Sequence, residues 1–390
     1  MDMVDRRSFL KAVGSAGLLS ALPETAFAAD GRGVVHEVAE PGQDAAARPK
    51  YSVRFAVAGM SHDHIYGMVG AMLRGGGELV SVYAAEPERG AEFVKRFPQA
   101  KQAASVEEIL NDPSIQLVLS SAVPSERAPI GIRAMQHGKD FLSDKPGVTT
   151  LEQLAEVRRV QAETKRIYGI MYSERLEVRA AVKAGELVQA GAIGRVIQTI
   201  NIAPHLIQYP NQPPRPEWFW DPARNGGILT DIGSHQVDQF LFYTGSKKVE
   251  VVASQVGNVN HPQHPKFQDF GNVMLQGDRG VGYVRVDWFT PDGLGVWGDG
   301  RLFLLGTEGY IELRKYVDIV GRKGGNHLFV VDGKQTRYID CGQVELPFGP
   351  QFISDIVNRT ETGQSQTQTL LAAELVLKAQ ERASLLHFSA

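Results

Sequence analysis

Residues 131–146 read Gly131-Ile-Arg-Ala-Met-Gln-His-Gly-Lys-Asp-Phe-Leu-Ser-Asp-Lys-Pro146, and this stretch decides the fold. Its first half is a helix, Gly138 stops it, and a short buried strand follows. Pro146 ends the strand and restricts Lys145 to an extended conformation. A lysine at the carboxyl end of a parallel strand faces the crevice where open α/β sheets bind ligands.

The same unit recurs upstream. Val53 to Gly59 is a strand ending in glycine, followed by a helix from about Ile65 to Arg74 and a strand from Glu78 to Tyr83. Ser105-Val-Glu-Glu108 is a capping box opening a short helix. Ile115 to Ser120 is a buried strand, and Ser125 caps a helix running to His137. Strand and helix alternate to about residue 172, which predicts a right-handed, doubly wound parallel sheet of Rossmann type. Beyond it the pattern changes. A helix from about Leu176 to Ala190 and a strand from about Arg195 to Ala203 precede a Pro- and aromatic-rich loop over 204–225. Strands dominate 248–340, and two helices near 350–358 and 368–385 close the chain. Val281 to Asp287 alternates in the manner of a half-buried antiparallel strand.

The 390 residues suffice for two domains, and 43% hydrophobic with 22% charged residues is ordinary for a globular protein. A net charge of −3 argues against a nucleic-acid partner. The one cysteine, Cys341, allows neither an internal disulfide nor a cysteine-based zinc site. The N-terminus reads as an export leader: Arg6-Arg7-Ser8-Phe9-Leu10-Lys11, a mildly apolar run from Ala12 to Leu22, and a small-residue cleavage site at Ala26-Phe27-Ala28. The run is too short to span a bilayer. The expected plan is a twin-arginine signal peptide over 1–28, a flexible arm over 29–50, a nucleotide-binding domain over 51–172 and an α+β substrate domain over 173–390. The mature protein would then be periplasmic or secreted, exported folded by the twin-arginine translocase, with no membrane insertion after cleavage.

A second motif carries the chemistry. Residues 226–238 read Gly226-Gly-Ile-Leu-Thr-Asp-Ile-Gly-Ser-His-Gln-Val-Asp238. Asp231, His235 and Asp238 share one face at helical spacing, and a carboxylate beside an imidazole can handle protons near neutral pH. Taken alone, the pair also fits a helix-start Asp and a satisfied core histidine.

Together, the strand ending Ser143-Asp144-Lys145-Pro146 and the Gly-Gly-x-x-x-Asp-x-Gly-x-His-x-x-Asp run resemble the Gfo/Idh/MocA family of oxidoreductases over roughly residues 51–385. The resemblance implies a Rossmann domain followed by an open, mostly antiparallel sheet, a bound NAD (with NADP possible), a carbohydrate or cyclitol substrate, and a homo-oligomer. It implies that His235 is the general base, that Lys145 holds and polarises the reacting oxygen, and that Asp231 orients substrate hydroxyls. Cofactor contacts are expected from Gly59, Ser61, His62, His64, Glu86, Pro124, Asp144 and Lys145. Of the three fingerprint glycines only Gly59 is present; Ser61 and His64 take the other places, and Glu86 stands two residues late for the ribose. Substrate contacts are expected from Arg175, His205, Trp218 and Asp231, with an interdomain ion pair as the other reading of Arg175. His62 and His64 resemble a short metal-ligand cluster, but no metal is expected. Two further readings stay open: a redox-neutral NAD-dependent glycosidase, lyase or epimerase, and a non-catalytic exported sugar-binding protein.

Overall fold

The computed structural model describes residues 33–39, 49–209 and 212–387. The leader expected over 1–28 lies outside them. Part of the stretch expected to be a flexible arm is instead a strand, β1 (Val35–Val38), which adds in parallel to the edge strand Thr336–Asp340. A free sheet edge offers N–H and C=O groups that any nearby extended segment can satisfy.

The N-terminal domain is one six-stranded sheet. Its strands are β2 (Arg54–Met60), β3 (Glu78–Tyr83), β4 (Lys101–Gln102), β5 (Leu117–Ser121), β6 (Asp140–Asp144) and β7 (Tyr168–Met171), in the order β4-β3-β2-β5-β6-β7. Every pairing is parallel. Residues of β5, β6 and β7 are buried throughout, as expected of strands covered on both faces. The order reverses between β2 and β5, so the carboxyl ends of these strands frame the crevice.

The C-terminal domain holds β8 (Val196–Pro204), β9 (Val249–Gly257), β10 (Phe270–Gly277), β11 (Val281–Asp287), β12 (Arg301–Gly306), β13 (Gly309–Arg314), β14 (His327–Asp332), β15 (Thr336–Asp340) and β16 (Ser384–Leu385). With β1 they form a ten-stranded sheet in the order β1-β15-β14-β13-β12-β8-β11-β10-β9-β16. Three pairings, β1 with β15, β8 with β11 and β9 with β16, are parallel, and the rest are antiparallel. The alternating β11 is therefore antiparallel to β10 on one side and parallel to β8 on the other.

The second motif lies on two successive helices, Ile228–Asp231 and Gly233–Thr244. The latter packs beneath β8 and β11, and every residue in it except Phe242 is buried. The closing helix Gln366–Arg382 rests on it, on β9, and on the Leu151–Thr164 helix of the N-terminal domain. One apolar core consequently runs from Phe55 and Leu142 through Tyr172 to Leu229, Phe240 and Leu375. That continuity fixes the end of β6 against the start of the second motif. No helix among the described residues is long and apolar enough to cross a membrane.

Candidate active site

Lys145 leaves the carboxyl end of β6 and meets Asp231 across the domain junction, Nζ to Oδ1 at 2.8 Å. Lys145 is 5% exposed. Burial works to raise the Asp231 carboxyl and the Lys145 ammonium outweighs it, so the acid is held below its ordinary range. Two motifs some ninety residues apart thus meet in one ion pair.

Beneath the pair, four nitrogen groups crowd the Asp144 carboxylate, two hydrogen-bonded to Oδ1 and two at ion-pair distance from Oδ2, which accepts no well-directed hydrogen bond. Arg127 Nη2 lies 3.0 Å from Oδ2, His62 Nδ1 3.3 Å from Oδ2, and His64 Nδ1 2.9 Å from Oδ1, while the Lys145 amide donates to Oδ1 at 2.8 Å. Burial opposes ionisation, yet the Arg127 guanidinium and the two imidazoles hold this carboxyl well below the usual range. Arg127 is itself buried and fully used, donating Nε to the Ala122 carbonyl at 2.7 Å and Nη1 to the Lys145 and Pro146 carbonyls. The donor atoms of His62, His64 and Asp144 lie within 4.8 Å of one another, a spacing a metal ion can bridge. Arg127 and the Lys145 amide already engage both oxygens of that carboxylate.

The cleft above has a volume of about 310 Å³. His62, His64, Pro124, Lys145, His205 and Trp218 line it, as does Asp231. Burial, with His64 nearby, pushes His62 down to about 4, and burial pushes His205 down to about 4 as well. Both imidazoles are therefore neutral at pH 7. His205 meets the edges of Trp288 and Trp297 at centroid distances of 5.5 and 4.7 Å.

His235 does not line this cleft. It is 2% exposed, its Nδ1 has no hydrogen-bond partner, and burial pushes it down to about 3. It lies behind the cleft, near enough for Glu174, Lys145, His64 and His205 to act on it electrostatically. Glu174, which carries no sequence signature, is a buried anion held by Lys315 Nζ at 2.6 Å and Gln236 Nε2 at 3.0 Å.

Arg175 is also absent from the cleft. Asp238 takes its guanidinium in a buried bidentate pair at 2.5 and 3.1 Å, and its plane lies on Phe242. In place of the expected substrate contact, Arg175 makes a buried ion pair with Asp238 inside the C-terminal domain. The sequence reading missed Trp288, Trp297 and Arg215, which arrive from strand ends and a loop with no periodic signal.

The strand ends beside the cleft fit a dinucleotide. Gly59 has φ +86°, and a Cβ there would stand 2.8 Å from Ala122 Cβ, so the turn needs glycine. Glu86 follows β3; its Oε2 is buried with no partner, and its Oε1 accepts from Ser61 Oγ at 3.4 Å. Ribose hydroxyls would satisfy that orphan oxygen. The amides of Ser61 and His62 both donate to the Ser121 carbonyl, at 2.9 and 3.1 Å. The pyrophosphate would therefore meet the Ser61 and His64 side chains and the start of the helix His64–Arg74, not those two amides.

Residues 53–172 match the family model described as "Oxidoreductase family, NAD-binding Rossmann fold", and residues 181–312 match "GFO/IDH/MocA C-terminal domain". The 1,5-anhydro-D-fructose reductase of Ensifer adhaerens is 30% identical over 192 residues, which is 48% of this chain and 55% of that enzyme. The chain thus spans about half of that relative's length. The scyllo-inositol 2-dehydrogenase (NAD(+)) of Bacillus subtilis (strain 168) is 25% identical over 76% of this chain and 85% of its own. A solved structure from Erwinia carotovora atroseptica SCRI1043 is 46% identical, covering 86% of this chain and 100% of the other with a TM-score of 0.83. Levoglucosan dehydrogenase in complex with NADH shares the fold, with a TM-score of 0.70 at 17% identity over 85% of this chain and 98% of its own.

Proposed function

The chain belongs to the Gfo/Idh/MocA family of oxidoreductases and carries its NAD-binding Rossmann domain, and from that premise we propose that it moves a hydride between bound NAD and a hydroxyl-bearing carbon of a small sugar, cyclitol or glycoside. The reading rests on one contact, Lys145 Nζ to Asp231 Oδ1 at 2.8 Å. It places a cation and an anion at one point of an aromatic-lined cleft beside the strand ends. NAD supplies the hydride acceptor when bound. Lys145 donates a hydrogen bond to the substrate oxygen and stabilises negative charge as it develops there. Asp231 holds Lys145 in place and accepts from a neighbouring hydroxyl. His235 stays neutral at pH 7 under its burial but lies behind the cleft, so the hydroxyl proton would reach it by relay through Lys145, the group that touches the substrate oxygen: Lys145 passes a proton to His235 as it takes the one from the hydroxyl. Asp144 fixes the Lys145 backbone and orients His64. Trp218 and Trp288 offer ring faces to a sugar.

With the arginine-pair leader, the proposal extends to a closed cycle. A folded protein exported with its nucleotide would retain it and return it to its starting redox state in each turnover. Coupled oxidation and reduction of two sugars fits this, as does redox-neutral cleavage or epimerisation. Apolar side chains exposed on strands of the ten-stranded sheet, among them Val252, Met274, Val281 and Tyr310, favour a homo-oligomer formed through that sheet.

The test is to incubate the protein and NAD with a panel of sugars and cyclitols, following reduced-nicotinamide absorbance. At least one substrate should reduce the nucleotide, and Lys145→Met and His235→Asn should each abolish the signal. Full turnover by both variants would reject the assignment of roles. Absence of nucleotide binding would favour a sugar-binding protein instead.

A further inference from the structure

The charges of the cleft pair off except at one point. Arg127 faces Asp144 at 3.0 Å, Lys145 faces Asp231 at 2.8 Å, and Asp63 at the rim is tied to Arg89 at 3.1 Å. Arg215 lines the same cavity, and among the described residues no carboxylate stands within ion-pair distance of it. Its position is nevertheless built. Nε donates to the Ile207 carbonyl at 2.6 Å and Nη2 to the Leu206 carbonyl at 3.3 Å. The guanidinium carbon lies 4.7 Å from the Phe219 ring centroid and 5.7 Å from that of Trp288. These contacts fix the plane of the group and leave Nη1 without a protein partner among the described residues.

Burial depresses the basicity of Arg215, with Asp231 and Asp63 partly opposing it, yet an arginine stays charged at any working pH. A charge withdrawn from water without a counter-ion is unfavourable. Two aromatic faces repay part of that cost, and an anionic ligand would repay the rest. The cavity of about 310 Å³ sits at the small end of ligand pockets, which suits a monosaccharide better than a nucleotide sugar. One surplus positive charge matches one carboxylate; a phosphate monoester carries roughly −1.5 to −2 at neutral pH.

We infer that the substrate is a sugar acid, a monosaccharide-sized polyol carrying one carboxylate, with Arg215 holding the carboxylate while Lys145 and Asp231 hold the reacting hydroxyl. This rests on the reading of the cleft as the site of a sugar oxidoreductase. The guanidinium fork presents Nη1 and the second Nη2 hydrogen to the carboxylate, and the tryptophan faces cover the ring. Arg215 is thereby a specificity-determining residue, and its hydrogen bonds to the Leu206 and Ile207 carbonyls position it.

The experiment compares matched pairs, glucose with glucuronate and galactose with galacturonate, by tryptophan-fluorescence titration and by reduction of bound NAD. Wild type, Arg215→Met and Arg215→Lys are each measured. Wild type should favour the acid of at least one pair by roughly 10- to 100-fold. In Arg215→Met the acid-to-neutral ratio should fall to near one, and Arg215→Lys should recover part of it. The preference should also weaken as salt is raised. Equal binding of acid and neutral sugar by wild type overturns the inference. So does an equal loss for both sugars in Arg215→Met, because a mere loop staple would act that way. If neutral sugars reduce the nucleotide without any acid preference, this inference fails and the oxidoreductase reading stands. If neither class of sugar binds or reacts, both fail.

Discussion

Replacing Lys145 with methionine keeps the length of the stem and removes one charge. Asp231 then stays at the domain junction with 20% of its side chain exposed and no partner. Stripping one member from a buried pair costs about 3–5 kcal/mol, and the residual exposure of Asp231 places this case near the lower figure, about 3 kcal/mol. The pH dependence gives a sharper signature. In the wild type the Asp231 carboxyl is depressed by Lys145 against burial. Its contribution is therefore complete above the ordinary carboxylate pKa and lost as pH falls through the folded value. In Lys145→Met burial is opposed only by the weaker pull of His62 and Arg127, so the carboxyl rises and the penalty is relieved as pH falls. Denaturant unfolding at pH 7 and pH 5 should show the gap between variant and wild type narrowing in acid. Turnover should fall by about 100- to 1,000-fold, as for loss of one donor to a developing oxyanion. Combining Lys145→Met with Asp231→Asn should cost less than the sum of the single changes. A kcat within threefold of wild type, or strict additivity of the two substitutions, would refute the reasoning.

Other outcomes follow from the same structure. His235 is pushed down to about 3 by burial, so its contribution to stability is full above pH 6.5 and declines by about 1.4 kcal/mol per pH unit below it; His235→Gln should flatten that slope by one proton between pH 6.5 and 4.5, and an unchanged slope would count against a buried neutral imidazole. Asp144→Asn leaves the buried Arg127 guanidinium without its counter-charge and should cost about 3–5 kcal/mol in chemical denaturation, whereas a loss under about 1 kcal/mol would mean that the cluster contributes little. Glu86→Ala should weaken NAD binding by calorimetry roughly 10- to 100-fold while leaving the melting temperature of the free protein near wild type; equal affinity would remove Glu86 from the ribose site. Changing both Arg6 and Arg7 to lysine should retain the precursor in the cytoplasm by fractionation and blotting, and continued export would discard the twin-arginine assignment.

What was legible in the sequence is local. The strand Asp140–Asp144 and its end at Pro146 could be read because burial, glycine punctuation and proline act within a few residues. The same holds for the Ser105 capping box, where Ser105 Oγ accepts from the Glu108 amide at 3.2 Å. Partners distant in sequence were not legible. Asp144 meets His64 eighty residues away, so its place in a charge cluster has no pattern to announce it. Arg175 and Asp238 satisfy each other across 63 residues, which leaves a motif aspartate structural where its spacing had suggested a shared polar face. His235 matched its motif in sequence, but the packing of its helix under β8 and β11 buries it behind the cleft. Arg215, Trp288 and Trp297 converge only because a long loop folds over the ends of β8 and β11. Edge strand β1 has four residues and little burial, and its pairing depends wholly on the open edge of β15.

The most direct test is hydride transfer itself. Purified protein with NAD is mixed with sugars, cyclitols and sugar acids bearing deuterium on their hydroxyl carbons, quenched within one turnover, and the nucleotide analysed by mass spectrometry. The account predicts deuterium on the nicotinamide ring for at least one substrate, and its loss in Lys145→Met. Nucleotide that stays bound yet never acquires deuterium from any of these compounds would contradict it.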